Sequence, residues 1–177
     1  QVDNLLNMSR IDSGIILSKK DWCDLEEIIY DTVKKVESNS NPSQKITVNI
    51  NPSIPLFKLD KGIIEQIIYN ILNNAVLYTA PNCRIDIVAL CHTDLLQIII
   101  EDNGDEFPAN VIDNVVNKFY RLNNSKPGGT GLGLSIVKGF TEALGGTVYL
   151  ENISTGGARF TINIATETSY LKNLKNE

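Results

Sequence analysis

The chain has 177 residues, 42% of them hydrophobic, and a formal net charge of −5. A chain of this length and composition can bury a substantial core, about 70% of its unfolded surface, and is most simply one domain. The acidic balance argues against a general nucleic-acid surface, and no apolar run approaches the roughly 20 residues of a membrane span. The three cysteines lack CxxC spacing, which argues against a disulfide framework or a zinc site and favours a reducing cytosol.

The N-terminal third begins with two short segments and one amphipathic helix. Residues 1–14 show helical spacing of apolar side chains, and we expect them to end a longer helix, because so short a helix is marginal alone. Residues 15–23 form an extended linker. Asp24 can cap a helix that runs to about Ser38. Its predicted buried face comprises Leu25, Ile28, Ile29, Val33 and Val36.

Strand patterns recur along the rest of the chain. They lie at Ile46–Ile50, Arg84–Leu90, Leu95–Glu101, Thr147–Asn152 and Arg159–Ile164, with a shorter candidate near Leu56–Leu59. With three long helices, about five strands indicate an α/β layer. The stretch 103–128 is rich in asparagine and long enough to be a functional lid. Residues 166–177 form a polar tail, predicted as a frayed helix.

The predicted helix Lys61–Tyr78 carries two stripes of side chains. The apolar stripe consists of Ile64, Ile67, Ile68, Ile71, Leu72 and Ala75. On the other side, Gln66, Asn70 and Asn74 follow one another at intervals of four residues. Amide side chains are poor helix formers, so this row indicates either a solvated face or carboxamide oxygens directed at a hard cation such as Mg²⁺.

A second motif lies where the strand in IIIEDNGDEFP ends. Asp102 at that point could accept a hydrogen bond from an exocyclic amine, and Gly104 would let the backbone approach a flat ring. As an isolated Asp-Asn-Gly, the same residues are simply a turn signal.

The third motif is GGTGLGLSIVKG, a glycine-rich loop that leads into a helix. Such a loop can bind anions, because the first amides of a helix lack internal partners and lie at its positive end. The spacing matches neither the Walker loop nor G-x-G-x-x-G. The alternative is a flexible turn before a core helix that buries Leu132, Leu134, Ile136 and Val137.

Together these motifs form an ordered series. It runs Asn70-x-x-x-Asn74, Asp102-x-Gly104, Asn117-Lys-Phe-Tyr-Arg121 and Gly129-x-Gly131-x-Gly133. The series resembles the N, G1, F and G2 boxes of sensor histidine kinases over about residues 24–164. The resemblance implies the Bergerat ATP-binding fold, an α/β two-layer sandwich whose mixed, mostly antiparallel sheet has helices on one face.

The resemblance also implies roles for individual residues, with ATP and Mg²⁺ as cofactors. At the adenine end, Asp102 would bind the amine beside Gly104, with support from the Thr161 hydroxyl. Tyr78 would pack near the base. At the other end, Asn74 would ligate Mg²⁺.

Three residues are implied in catalysis: Asn70 and Arg121 near the phosphates, together with the metal ligand Asn74. The lid and the glycine loop complete the cofactor site. The residues implied there are Phe119, Tyr120, Gly129, Gly131, Leu132, Gly133 and Leu134.

Three positions depart from the family pattern. Glu106 replaces the second glycine of G1, Leu77 replaces a frequent lysine, and Val116 replaces the first aromatic residue of the F box. These departures leave open a degenerate nucleotide-binding or dimerisation module without kinase activity. A second alternative is an ATPase of the gyrase, chaperone or mismatch-repair type, but those relatives have a glutamate base where this chain has Asn70.

The resemblance extends to domains and partners. LLNMSRIDSG followed by W-x-x-LEEII resembles the end of the dimerisation helix and the linker of KdpD-type potassium sensor kinases. Residues 24–165 would be the catalytic domain, in the cytoplasmic part of a membrane-anchored sensor. Implied partners are the protein's own dimerisation and phospho-acceptor domain, as a homodimer, and a response regulator. Neither nucleic acid nor direct membrane contact is expected. The chain's single histidine, His92, lies in a predicted hairpin turn, so the acceptor histidine is expected outside this chain.

Overall fold

The computed structural model describes residues 19–105 and 132–170. The predicted helix end at 1–14 therefore lies outside the described residues. The helices are α1 (Leu25–Glu37), α2 (Lys61–Tyr78) and α3 (Leu132–Ala143), and the strands are β1 (Asp21–Cys23), β2 (Lys45–Ile50), β3 (Leu56–Leu59), β4 (Arg84–His92), β5 (Leu95–Asp102), β6 (Thr147–Asn152), β7 (Ala158–Ala165) and β8 (Thr168–Ser169). The predicted strands and the helices α1 and α2 are confirmed, with bounds within two residues.

Five strands form the main sheet in the order β2-β4-β5-β7-β6. β2 and β4 are parallel and the other neighbours antiparallel, so the sheet is mixed. Alternate residues of β7 are buried, beginning with Ala158 and Phe160, and they join the helices in one hydrophobic core. The expected α/β architecture, with helices against a mixed sheet, is confirmed.

Capping residues fix where the first two helices begin. The carboxylate of Asp24 accepts the Glu27 amide at 3.3 Å, and that of Asp60 accepts the Ile63 amide at 3.1 Å. The predicted face of α1 is buried as expected: Leu25, Ile28, Ile29, Val33 and Val36. α2 packs against both α1 and α3 and is therefore the central helix of its layer. None of the helices in the described ranges has the length and apolarity that a membrane span requires.

A second sheet of three strands, in the order β1-β3-β8, joins the linker to the C-terminal tail. Leu56 of β3 pairs with Ser169 of β8. The Thr166 hydroxyl donates to the Lys58 carbonyl oxygen at 2.7 Å. The expected frayed helix is therefore wrong for this part of the tail, because the edge of β3 offers backbone partners that favour an extended chain. Residues 171–177 lie outside the described residues.

Candidate functional site

The amide row on α2 is fixed by hydrogen bonds to its own helix. Asn70 is only 3% exposed, and its Nδ2 donates to the Gln66 carbonyl oxygen at 2.7 Å. The Nδ2 of Asn74 donates to the Asn70 carbonyl oxygen at 2.8 Å. Because a carbonyl oxygen can only accept, the nitrogen of each side chain must be the atom that contacts the helix backbone. The Oδ1 atom of each side chain is then available to another group. No described residue donates to either Oδ1, so both oxygens suit a hard cation or its water shell.

Asn73 differs from these two neighbours. Its Oδ1 is buried and has no hydrogen-bond partner in the described part of the chain. A buried acceptor without a partner costs free energy. Substitution of Asn73 would therefore remove no hydrogen bond between this oxygen and a described residue. We therefore expect Asn73 to tolerate substitution better than Asn74.

The C-terminal end of α2 meets the Asp-Asn-Gly turn. Thr79 caps the helix, and a Cβ added at Gly104 would lie 3.0 Å from the Thr79 Cγ2. The Gly104 amide donates to Oδ1 of Asp102 at 3.0 Å, which closes the turn on itself. Half-buried Tyr78 is the residue before Thr79. The structure thus brings Tyr78, Asp102 and Gly104 to one end of α2.

Burial sets the electrostatics of Asp102. Loss of water around the side chain raises the pKa of the Asp102 carboxyl above its ordinary value. The amides of Gly104 and Ala158 partly offset this increase by hydrogen bonding, and Asp105 adds to it through like charge. A half-buried carboxylate with raised pKa is a strong acceptor for a ligand amine, because water competes poorly there.

Two further residues position Asp102, and the sequence analysis missed both. Oδ1 of Asn103 accepts the Arg84 amide at 2.7 Å, which pins the turn to the start of β4. Gly157 has φ +103°, and a Cβ added there would lie 1.9 Å from the Asp102 carbonyl oxygen. Only glycine fits so close to the Asp102 backbone. The Gly-Gly pair before β7 signals a special turn, but only the strand register shows what it approaches.

Thr161 does not meet Asp102. In the β5–β7 ladder, Asp102 pairs with Ala158, while Thr161 pairs with Ile99. Side chains alternate between faces along a strand, so Thr161 lies on the face of the sheet opposite to Ala158 and Asp102. The implied support of Asp102 by the Thr161 hydroxyl is therefore wrong, and Ala158 occupies the facing position, where its backbone contacts the carboxylate.

The glycine loop enters the described residues only at its end. α3 begins at Leu132, so Gly133 and Leu134 lie in its first turn, where backbone amides have no partner within the helix. Ile136 and Val137 are buried, as expected of a core helix. The remaining implied site residues and the departures at Glu106 and Val116 lie outside the described residues: Phe119, Tyr120, Arg121, Gly129 and Gly131.

The two ends of the candidate site are linked by one helix. Asn70, Asn74 and Tyr78 follow at intervals of four residues, so they lie on adjoining turns and span about 12 Å along the axis. One end offers amide oxygens and the other a half-buried carboxylate beside a glycine turn. This arrangement suits an elongated ligand with an amine at one end and cation-bound anionic groups at the other.

Comparison with known proteins identifies the family. Residues 59–168 match the family model described as histidine kinase-, DNA gyrase B-, and HSP90-like ATPase. The sensor protein KdpD of Escherichia coli is 33% identical over 95% of this chain, and that of Clostridium acetobutylicum is 32% identical over 94%. The chain spans 19% of the length of each of these relatives.

Solved structures agree on the fold. Full-length ShkA in complex with AMPPNP has a TM-score of 0.81 at 21% identity, and the match covers 96% of this chain and 36% of that one. The nucleotide-free catalytic domain of histidine kinase ThkA has a TM-score of 0.71 at 22% identity, with coverage of 83% and 95%. The chain belongs to the family of histidine kinase-, DNA gyrase B- and HSP90-like ATPases and is an ATPase domain of the histidine kinase type.

Proposed function

We propose that this chain binds ATP with Mg²⁺ and transfers the γ-phosphoryl group to a histidine on a dimerisation helix outside the chain. One observation carries the proposal. The helix that holds the amide oxygens of Asn70 and Asn74 is capped by Thr79, which lies against the turn that holds Asp102. A single rigid element therefore sets the distance between a cation-binding end and an amine-binding end.

The chemistry of the amide oxygens fits Mg²⁺. This cation prefers a few protein oxygen ligands together with phosphate oxygens and water, and a carboxamide oxygen is such a ligand. The Nδ2 of Asn74 is engaged by its own helix, so Oδ1 is the atom that Asn74 offers. When bound, Mg²⁺ would neutralise charge on the triphosphate. Asn74 would hold it, and Asn70 would sit one turn away, near the phosphates.

Phosphoryl transfer suits the site better than ATP hydrolysis. A carboxamide cannot take a proton from water, and Asn70 is in addition almost fully buried and bonded to Gln66. Transfer to a histidine needs positioning and charge neutralisation more than a protein base. The amide at this position therefore favours the kinase over an ATPase that activates water.

The acceptor histidine would come from the same protein's dimerisation and phospho-acceptor domain, as a homodimer, and a response regulator would receive the phosphoryl group. His92 is exposed and ends β4, opposite Leu95. Asp102 stands at the far end of β5, about 23 Å away at 3.3 Å per residue. His92 is thus remote from the site. We place the domain in the cytoplasm, where ATP is available.

Incubation with γ-labelled ATP tests the proposal. The chain alone should bind ATP without acquiring label, and addition of a dimerisation domain with its histidine should produce acid-labile label on that domain. Label on this chain that disappears in His92→Gln would place the acceptor in the chain itself. ATP binding with no transfer to any added acceptor would instead favour the degenerate nucleotide-binding module.

A further inference from the structure

Gln44 is a buried glutamine in the turn directly before β2, outside every motif of the proposed ATP site. Its side chain is 8% exposed, and its Oε1 accepts the Asn41 amide at 2.9 Å. Its Nε2 donates to the Val76 carbonyl oxygen and to the Thr79 hydroxyl, both at 3.1 Å. A third acceptor, the Ala80 carbonyl oxygen, lies at 3.4 Å from Nε2.

These contacts cap the end of α2. The last carbonyl groups of a helix have no partner within it, and a side-chain amide that satisfies them fixes where the helix ends. Gln44 does so from a different segment, 32 residues before Val76. It therefore holds the C-terminal end of α2 against the turn that precedes β2.

The same contacts lead to the adenine end of the site. The Thr79 hydroxyl accepts from Gln44 and donates to the Ala75 carbonyl oxygen at 2.6 Å, so its rotamer is set from both sides. In that rotamer the Thr79 methyl group faces Gly104, where an added Cβ would lie 3.0 Å from it. The Gly104 amide in turn bonds to Asp102 at 3.0 Å.

We propose that Gln44 is a positioning residue for adenine binding, which acts through Thr79 on the turn of Gly104 and Asp102. It touches no ligand itself. The Thr79 contact lies five residues beyond the metal ligand Asn74, and the Asn74 side chain is fixed separately by its bond to the Asn70 carbonyl oxygen. Gln44 should therefore affect the adenine end of the site and leave the metal end unchanged. The inference rests on the proposed binding of adenine by Asp102.

The test compares two probes that occupy different ends of the site in the 177-residue chain. Adenosine reports on the Asp102 end, and magnesium tripolyphosphate reports on the Asn74 end. Gln44→Met keeps the side-chain length and removes the hydrogen bonds. This variant should weaken the binding of adenosine roughly three- to tenfold and leave the binding of tripolyphosphate unchanged.

The matched control is Gln97→Met. Gln97 also donates a hydrogen bond from Nε2, at 2.9 Å to Asn163, and it lies on β5 away from the helices. Gln97→Met should change neither affinity.

Thr79→Val provides a second route if Gln44→Met does not fold. This variant keeps a methyl group facing Gly104 and removes the hydroxyl that accepts a hydrogen bond from Gln44. It should therefore also weaken the binding of adenosine and leave the binding of tripolyphosphate unchanged. When both single variants fold, the double variant should lose less than the product of the two single losses, because they break one connection. Equal losses for adenosine and tripolyphosphate, or an unchanged adenosine affinity, would overturn the inference. Failure of the parent chain to bind adenosine would instead refute the proposed function.

Discussion

Replacement of Gly157 by alanine should displace Asp102 and weaken adenine binding. The added Cβ would lie 1.9 Å from the Asp102 carbonyl oxygen and 3.0 Å from the Asn103 Cα. Real contacts of a Cβ are rarely shorter than 3.0 Å, so the Asp102 backbone must retreat by about 1.1 Å. Hydrogen bonds tolerate only a few tenths of an ångström, and a bond to a carboxylate contributes about 1.5–3 kcal/mol. Adenosine affinity should therefore fall roughly ten- to a hundredfold.

Gly156→Ala is the matched control for this substitution. Gly156 has the same φ of +103°, but an added Cβ would meet nothing within 4 Å. Both variants should lose roughly 1–3 kcal/mol of stability from backbone strain, measurable by urea unfolding. Only Gly157→Ala should lose adenosine affinity as well, measured by calorimetric titration. Equal adenosine affinities in the two variants would refute the reasoning.

Three further predictions concern single side chains of the site. Asn74→Ala should weaken the binding of magnesium-ATP much more than the binding of free adenosine, because only magnesium-ATP uses the Asn74 Oδ1. The control Asn73→Ala should change neither affinity. Equal losses of affinity for both ligands would show that Asn74 has a structural role. Since burial raises the pKa of Asp102, adenosine affinity should begin to fall at a higher pH than an ordinary aspartate would allow, in titrations between about pH 7 and pH 4. In Asp102→Asn that pH dependence should be absent, and its persistence would assign it to another group. Glu106→Gly should strengthen ATP binding and leave adenosine binding unchanged, because the resemblance to the G1 box implies a glycine at this position, where a carboxylate would repel the triphosphate; a weaker ATP affinity would show that Glu106 has a favourable role.

Local signals predicted most of the fold. Capping by Asp24, the period of α1 and the alternation in β7 each depend on residues close in sequence, and the structure confirms them. The row of Asn70 and Asn74 can likewise be predicted from the sequence, because helical periodicity alone places residues four apart on one face.

Features that depend on tertiary register could not be predicted in this way. The support of Asp102 by Thr161 that the resemblance implies is wrong, and a single sequence does not show which residue of β7 pairs with Asp102. Gln44 looks like part of a polar turn, and only packing of that turn against α2 buries it. The two-residue strand β8 is too short to show any periodicity.

The most direct test of the account is a calorimetric titration of the chain and of Asp102→Ala with a magnesium-ATP analogue. The parent should bind, and the variant should bind roughly ten- to a hundredfold more weakly, because it loses a hydrogen bond to a charged acceptor. Equal affinities in the two proteins would contradict the assignment of Asp102 to adenine.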